Sequence, residues 1–118
     1  MEWIEIKPTC CHAEKELKDT NNGESKHLPV AIIGAGPVGL AAAAHLVRYN
    51  QQFILLESGS QVGANILTWG HVRVFSPWRY NIDKFASKLL KKQDWNEPDL
   101  NELPTGKDLV EQYLKPLA

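Results

Sequence analysis

The chain has little cysteine, a single methionine, no long apolar run and no surplus of either charge. Two cysteines in 118 residues do not build a disulfide scaffold. Lys and Arg number 13 against 14 Asp and Glu, a formal net charge of −1. A nucleic-acid protein would need a basic surplus for its phosphate contacts. No apolar stretch reaches the roughly 18 residues of a membrane-spanning helix. Met1-Glu2-Trp3-Ile4-Glu5 has neither the basic flank nor the apolar run of a secretion signal. With 43% apolar and 23% charged residues, the composition is not that of an acidic disordered chain. These exclusions predict a soluble, cytoplasmic, single domain of α/β or mixed class.

What is present is unevenly placed. Residues 1–28 hold ten charged side chains and residues 83–118 hold thirteen, whereas residues 29–82 hold four: Arg48, Glu57, Arg73 and Arg79. Unpaired charge is costly to bury, so the middle stretch is expected to be core or to face a ligand. Residues 1–28 read as a flexible N-terminal extension. Asp19-Thr20-Asn21-Asn22-Gly23-Glu24-Ser25 is a run of turn formers without apolar periodicity, and Trp3, Ile4 and Ile6 allow only local pairing or capping.

The middle opens with Val30-Ala31-Ile32-Ile33, an apolar, partly β-branched run that suits a parallel-sheet strand covered on both faces. Gly34-Ala35-Gly36-Pro37-Val38-Gly39 follows, and Leu40 to Arg48, rich in alanine and leucine, reads as a helix. Tyr49-Asn50-Gln51-Gln52 stops it, and Phe53-Ile54-Leu55-Leu56 is a second buried-strand run ending at Glu57. Strand, helix and strand in about 30 residues make a βαβ unit, whose right-handed crossover sets the strands parallel and adjacent.

Residues 34–39 carry the G-x-G-x-x-G pattern, which gains meaning from a strand before it, a helix after it and an acid closing the next strand. The first glycine allows a tight turn, the second admits a pyrophosphate to the backbone, and the third lets helix and strand pack closely. Helix-start amides then face the phosphates, and Pro37 gives up an amide that has no intrahelical partner. Glu57 lies 18 residues beyond Gly39, placed to accept hydrogen bonds from a ribose diol. Its charge repels a 2′-phosphate, which favours FAD or NAD(H) over NADP(H). The competing reading makes Glu57 a solvated strand end and the glycines a tight turn only.

Val30 to Glu57 resembles the N-terminal ADP-binding βαβ unit of two-dinucleotide-binding flavoproteins, the NAD(P)H-dependent FAD oxidoreductases that include flavin-containing monooxygenases. Residues 34–43 are close to that family's wording of the loop. The resemblance implies a Rossmann-like βαβ dinucleotide-binding unit with a parallel sheet, incomplete beside full-length flavoproteins. It implies that the ADP half of FAD is held by Gly34, Ala35, Gly36, Pro37, Val38, Gly39 and Glu57, with Ser58, Gly63, Trp69 and Arg73 completing the cofactor-binding set. After the acid the family continues with a Gly-Gly-x-Trp element. Here Gly63-Ala64 stands at the double glycine and Trp69 comes later. Residues 69–81 are also similar to a subgroup of bacterial flavoproteins of this type. Of Arg73 and Arg79, one is expected near flavin phosphates or a substrate anion, Arg73 foremost; the alternative pairs both with surface carboxylates.

The resemblance covers residues 29–118, and family chains run several times longer. The second glycine-rich loop, for NAD(P)H, and the late Gly-Asp segment have no counterpart here. The expectation is therefore a partial dinucleotide-binding domain over 29–118, from a truncated gene product or a split enzyme whose remainder is its partner. In the complete enzyme, hydride would pass from NAD(P)H to flavin. No cysteine lies between Ser58 and Tyr80, which excludes a disulfide-reductase pair at that place. His27, His45 and His71 stand isolated, so no catalytic residue is assigned and no metal site is expected. Cys10-Cys11-His12 could chelate a soft ion, against the simpler reading of two reduced thiols on an arm. An NAD-dependent dehydrogenase with the same fingerprint, and a non-enzymatic fragment or soft-metal accessory protein, are the alternatives. Asp83 to Lys92 and Lys107 to Leu114 read as amphipathic helices, the second opened by Thr105-Gly106.

Overall fold

The computed structural model describes residues 3–6 and 28–118. The turn-former run 19–25, Cys10, Cys11, His12 and His27 lie outside the described residues. Strand β2 (Val30–Ile33) leads through the glycine turn into α1 (Pro37–Arg48) and back into β3 (Phe53–Glu57). β2 and β3 are parallel, with Val30 opposite Phe53 and Ile33 opposite Leu56. The βαβ unit is thus as the sequence predicts, in an α/β fold.

The sheet has a third strand, β1 (Ile4–Ile6), which runs antiparallel to β3 and makes the order β1-β3-β2. The sheet is therefore mixed and not wholly parallel. β3 has a free edge whose backbone groups need partners, and the apolar pair Ile4 and Ile6, separated by Glu5, supplies a strand. A three-residue strand remote in sequence from its partner leaves little periodicity to read.

Ile6, Leu55 and Ile32 fall in one row across the sheet. α1 packs on that row through Leu40, Ala43 and Ala44, buried at helical spacing. The opposite face is less covered: Ile33 remains 65% exposed. Coverage of β2 on both faces, expected from its apolar run, is not what the described residues provide, because the helices packing on this sheet share the Leu55 side. α1 ends as the sequence indicates, with Asn50 in the left-handed region (φ 53), which asparagine tolerates better than most residues.

Short helices α2 (Ala64–Leu67) and α3 (Trp78–Asn81) precede α4 (Lys84–Lys91). α4 starts at Asp83, whose Oδ1 accepts the amides of Phe85 and Ala86. Its Oδ2 lies 3.2 Å from His45 Nε2, tying α4 to α1. The last helical stretch opens with a capping box between Thr105 and Asp108. It runs from α5 (Gly106–Asp108) through a π-helical segment, Leu109–Leu114, into α6 (Lys115–Leu117). The regular helix predicted for 107–114 is interrupted. Pro116 has no N–H for the Gln112 carbonyl, which accepts the Trp95 indole N–H at 2.7 Å instead.

Among the described residues, three groups tie stability to pH. Burial pushes the Asp83 carboxyl up, but the Ala86 amide, His45 and the Phe85 amide together hold it below the ordinary carboxylate range. The Thr105 amide and hydroxyl hold Asp108 low. For a depressed carboxyl, the stabilisation exists above the unfolded value of about 3.9 and is lost as pH falls through the folded one. Burial raises the Tyr113 hydroxyl, so its contribution is present below about pH 10 and lost as pH rises. Melting temperature is expected to drop on titration from about pH 6 to pH 3. Asp83→Asn, which still caps but does not titrate, should flatten part of that drop. Asp83→Ala should cost about 0.5–2 kcal/mol at neutral pH, read by denaturant unfolding.

Candidate dinucleotide-binding site

Gly34, Ala35 and Gly36 make the turn between β2 and α1, and the glycines of the motif have distinct physical roles. Gly34 has φ +101, a conformation that side chains rarely permit, and its amide donates to the Leu56 carbonyl at 2.6 Å. Gly36 is the N-cap of α1 in an extended conformation, φ −89 and ψ −172, and a Cβ built there would meet nothing within 4 Å. Gly39 faces inward: a Cβ there would lie 1.9 Å from the Gly34 carbonyl oxygen.

α1 begins with Pro37, has no side-chain cap at Gly36 and no acid in its first turn. α4 has its first amides taken by Asp83, and the last helical stretch is capped by Thr105. The start of α1 therefore keeps the amides and partial positive charge that an anion seeks. No Cβ stands between them and the space above Gly36.

Glu57 comes to the same place from the end of β3. Its Oε2 accepts the Ala35 amide at 2.7 Å and its Oε1 accepts the Gly59 amide at 2.7 Å. Each oxygen retains acceptor capacity, so the carboxylate is fixed in position and still able to receive a hydroxyl. Sequence reading missed Gly59, and its signal is a glycine two residues past the acid. A Cβ there would lie 2.4 Å from Ala64 Cβ and 3.1 Å from Glu57 Oε1.

Other residues of the expected set separate into two groups. Gly63, left-handed with φ 67, donates its amide to the Ala35 carbonyl at 3.0 Å and so lies beneath the turn, packed against Val110. Ser58 is exposed at the end of β3. Trp69 packs on Gly106, where a Cβ would come within 2.7 Å of the indole. Arg73 Nη1 donates to the Leu103 carbonyl at 2.6 Å, and Arg79 hydrogen-bonds Asn101. Both arginines thus hydrogen-bond the 101–103 segment, and the Arg73 charge also helps to hold the Asp108 carboxyl low. Arg48 lies 4.0 Å from the centroid of Phe85. Among the described residues, no group of His, Cys, Asp and Glu could hold a metal ion, and no helix is long and apolar enough to cross a membrane.

The sequence pattern of one family, the NAD(P)-binding Rossmann-like domain, matches residues 32–95, which run from β2 to just beyond α4. The chain belongs to that family. Comparison with curated proteins and with solved structures gave no match. In this Rossmann-like domain the family match includes the whole glycine turn and Glu57, and it stops short of the Thr105 cap and the helices that follow. Those helices nevertheless support the turn through Val110 and Gly63.

Proposed function

We propose that this Rossmann-like domain is the FAD-binding portion of an NAD(P)H-dependent flavoprotein oxidoreductase of the flavin-containing monooxygenase type. Its ADP half would lie across Gly34–Gly39, with the ribose diol on Glu57. The observation that carries the reading is the pairing of open space over Gly36 with a carboxylate held beside it by the amides of Ala35 and Gly59. The domain would comprise residues 29–118, with 1–28 as an extension that contributes β1. Among the other expected residues, Gly63 supports the turn, while Trp69 and Arg73 act through the loops they hold in place.

The residues fit the group in charge as well as shape. The start of α1 offers amides and partial positive charge to the diphosphate, Gly36 admits it, and Glu57 accepts from the ribose while its charge disfavours a 2′-phosphate. A bound flavin would supply acceptance of hydride from reduced nicotinamide, the protein's share being binding and orientation. Remaining parts of the reaction would come from a later domain or a partner chain in the cytoplasm.

Purified chain carrying a yellow chromophore with the absorbance of oxidised flavin supports the reading. A colourless chain that binds NAD⁺ and not FAD would replace it with the second one, an NAD-dependent dehydrogenase domain, which the NAD(P)-binding family match favours. Glu57→Ala is expected to weaken dinucleotide binding by about 1.5–3 kcal/mol for each ribose hydrogen bond lost. Glu57→Gln should lose less and discriminate less against a 2′-phosphate. Isothermal titration with NAD⁺, NADP⁺ and FAD reads both effects.

A further inference from the structure

At the opposite end of α1 from the glycine turn, α1 meets α4 around one aromatic ring. The Arg48 guanidinium lies 4.0 Å from the Phe85 centroid and 5.3 Å from that of Tyr49. The Lys88 ammonium is 5.3 Å from the same Phe85 centroid, and the His45 ring crosses it at 78° with centroids 4.5 Å apart. Two cations thus share one ring, and neither is neutralised. Among the described residues Arg48, Lys84 and Lys88 pair with no carboxylate, and the Arg48 N–H groups have no acceptor. Asp83, the only acid in residues 79–93, is engaged by the amides of Phe85 and Ala86 and by His45.

Helix stability does not account for this arrangement. Arg48 and Lys88 suit the dipoles at the ends of α1 and α4, but Lys84 stands in the first turn of α4, where a cation is disfavoured. Lys84, Lys88 and Lys92 are exposed and spaced four apart, and like charges at that spacing repel. A guanidinium held on two rings also keeps its fork of donors in one orientation, which lowers the ordering cost of binding a carboxylate. The flank limits what fits: Glu97 lies 2.8 Å from Lys91, and Asp94, Asp99 and Glu102 belong to the same segment after α4. An extended polyanion, duplex or membrane, would meet those carboxylates; a short acidic segment would not. We propose that the α1–α4 face around Arg48 and Phe85 docks a short acidic segment of a partner protein. Arg48 takes one carboxylate bidentately, and Lys84 and Lys88 take its neighbours. The assignment does not depend on which dinucleotide the turn holds.

Fluorescence anisotropy of a labelled hexaglutamate peptide, titrated with the full chain, tests it. Binding is expected at low salt and should weaken as ionic strength rises past about 0.1 M, where the Debye length is about 10 Å. Arg48→Lys keeps the charge and loses the fork, so affinity is expected to fall about tenfold, the size of one charge-assisted hydrogen bond. Arg48→Glu should abolish binding, whereas Lys107→Glu, the same charge change at an exposed residue of α5, should leave it nearly unchanged. Equal losses in those two reversals would reduce the effect to net charge and overturn the proposal. So would a parent chain that does not bind the peptide at low salt, or unchanged affinity in Arg48→Lys. Tighter binding of duplex DNA or of phosphatidylserine vesicles than of the peptide would overturn it as well. Arg48→Lys, which preserves the aliphatic stem and the charge, decides the matter if Arg48→Glu fails to fold.

Discussion

Gly36→Val is expected to reduce dinucleotide affinity at least about a hundredfold, or roughly 2.7 kcal/mol, while the melting temperature moves by no more than about 4 °C. The two halves of that expectation have separate causes. The backbone at Gly36 is extended, φ −89 and ψ −172, where a β-branched residue is at ease, and a Cβ there would meet no protein atom within 4 Å. Folding therefore meets no clash there, and its remaining cost is the poorer capping of α1 by valine than by glycine. The same empty space is where a diphosphate approaches the amides at the start of α1, and valine fills it with two methyl groups. Titration calorimetry and a circular-dichroism melt on the same sample check both halves. Retained affinity would mean that phosphate does not come over Gly36.

Gly39→Ala is expected to do the opposite, unfolding the domain with a smaller chemical change. On helix propensity alone, alanine inside α1 should stabilise by about 1 kcal/mol. Its Cβ, however, would lie 1.9 Å from the Gly34 carbonyl oxygen and 3.1 Å from the Gly34 carbonyl carbon. Backbone cannot swing aside as the end of a flexible side chain can, so α1 must lift from β2 and the turn must open. Overpacking of well-fitted sites costs about 1–3 kcal/mol, and a clash with fixed backbone belongs above that range. A fall in melting temperature of at least about 10 °C is expected, with nucleotide binding lost as a consequence. An unchanged or raised melting temperature would show that the helix and strand do not approach as closely as the structure has them.

The contrast between these glycines shows how much of the site was legible in advance. Spacing of Gly34, Gly36 and Gly39 between a β-branched strand and an alanine-rich helix was enough to predict the tight turn and the close approach of helix and strand, because both are properties of local backbone. The place of Glu57 at the end of the paired strand was legible for the same reason. The packing of Arg73 and Trp69 was not. Whether an exposed-looking arginine faces a phosphate or a carbonyl depends on which loop folds over it, and here the 101–106 segment does: Leu103 takes Arg73, and Gly106 takes the Trp69 ring. Gly59 also escaped notice, since its value lies in an amide returned to Glu57.

The sequence by itself determined the βαβ unit, the glycine turn, the acid that closes the second strand and the opening of the last helical stretch at Thr105, all of which follow from local pattern and regular spacing; that Asp83 caps α4 rather than lying inside it came from the structure. Only the tertiary structure decided that Ile4–Ile6 closes the free edge of β3, that Val110 packs beneath Gly63, and that Tyr113 anchors Asp83 beside a cleft. Those contacts join residues 30 or more positions apart, and their partners are selected by shape and by the hydrogen-bonding needs of backbone that has already folded. Local pattern carries no record of either.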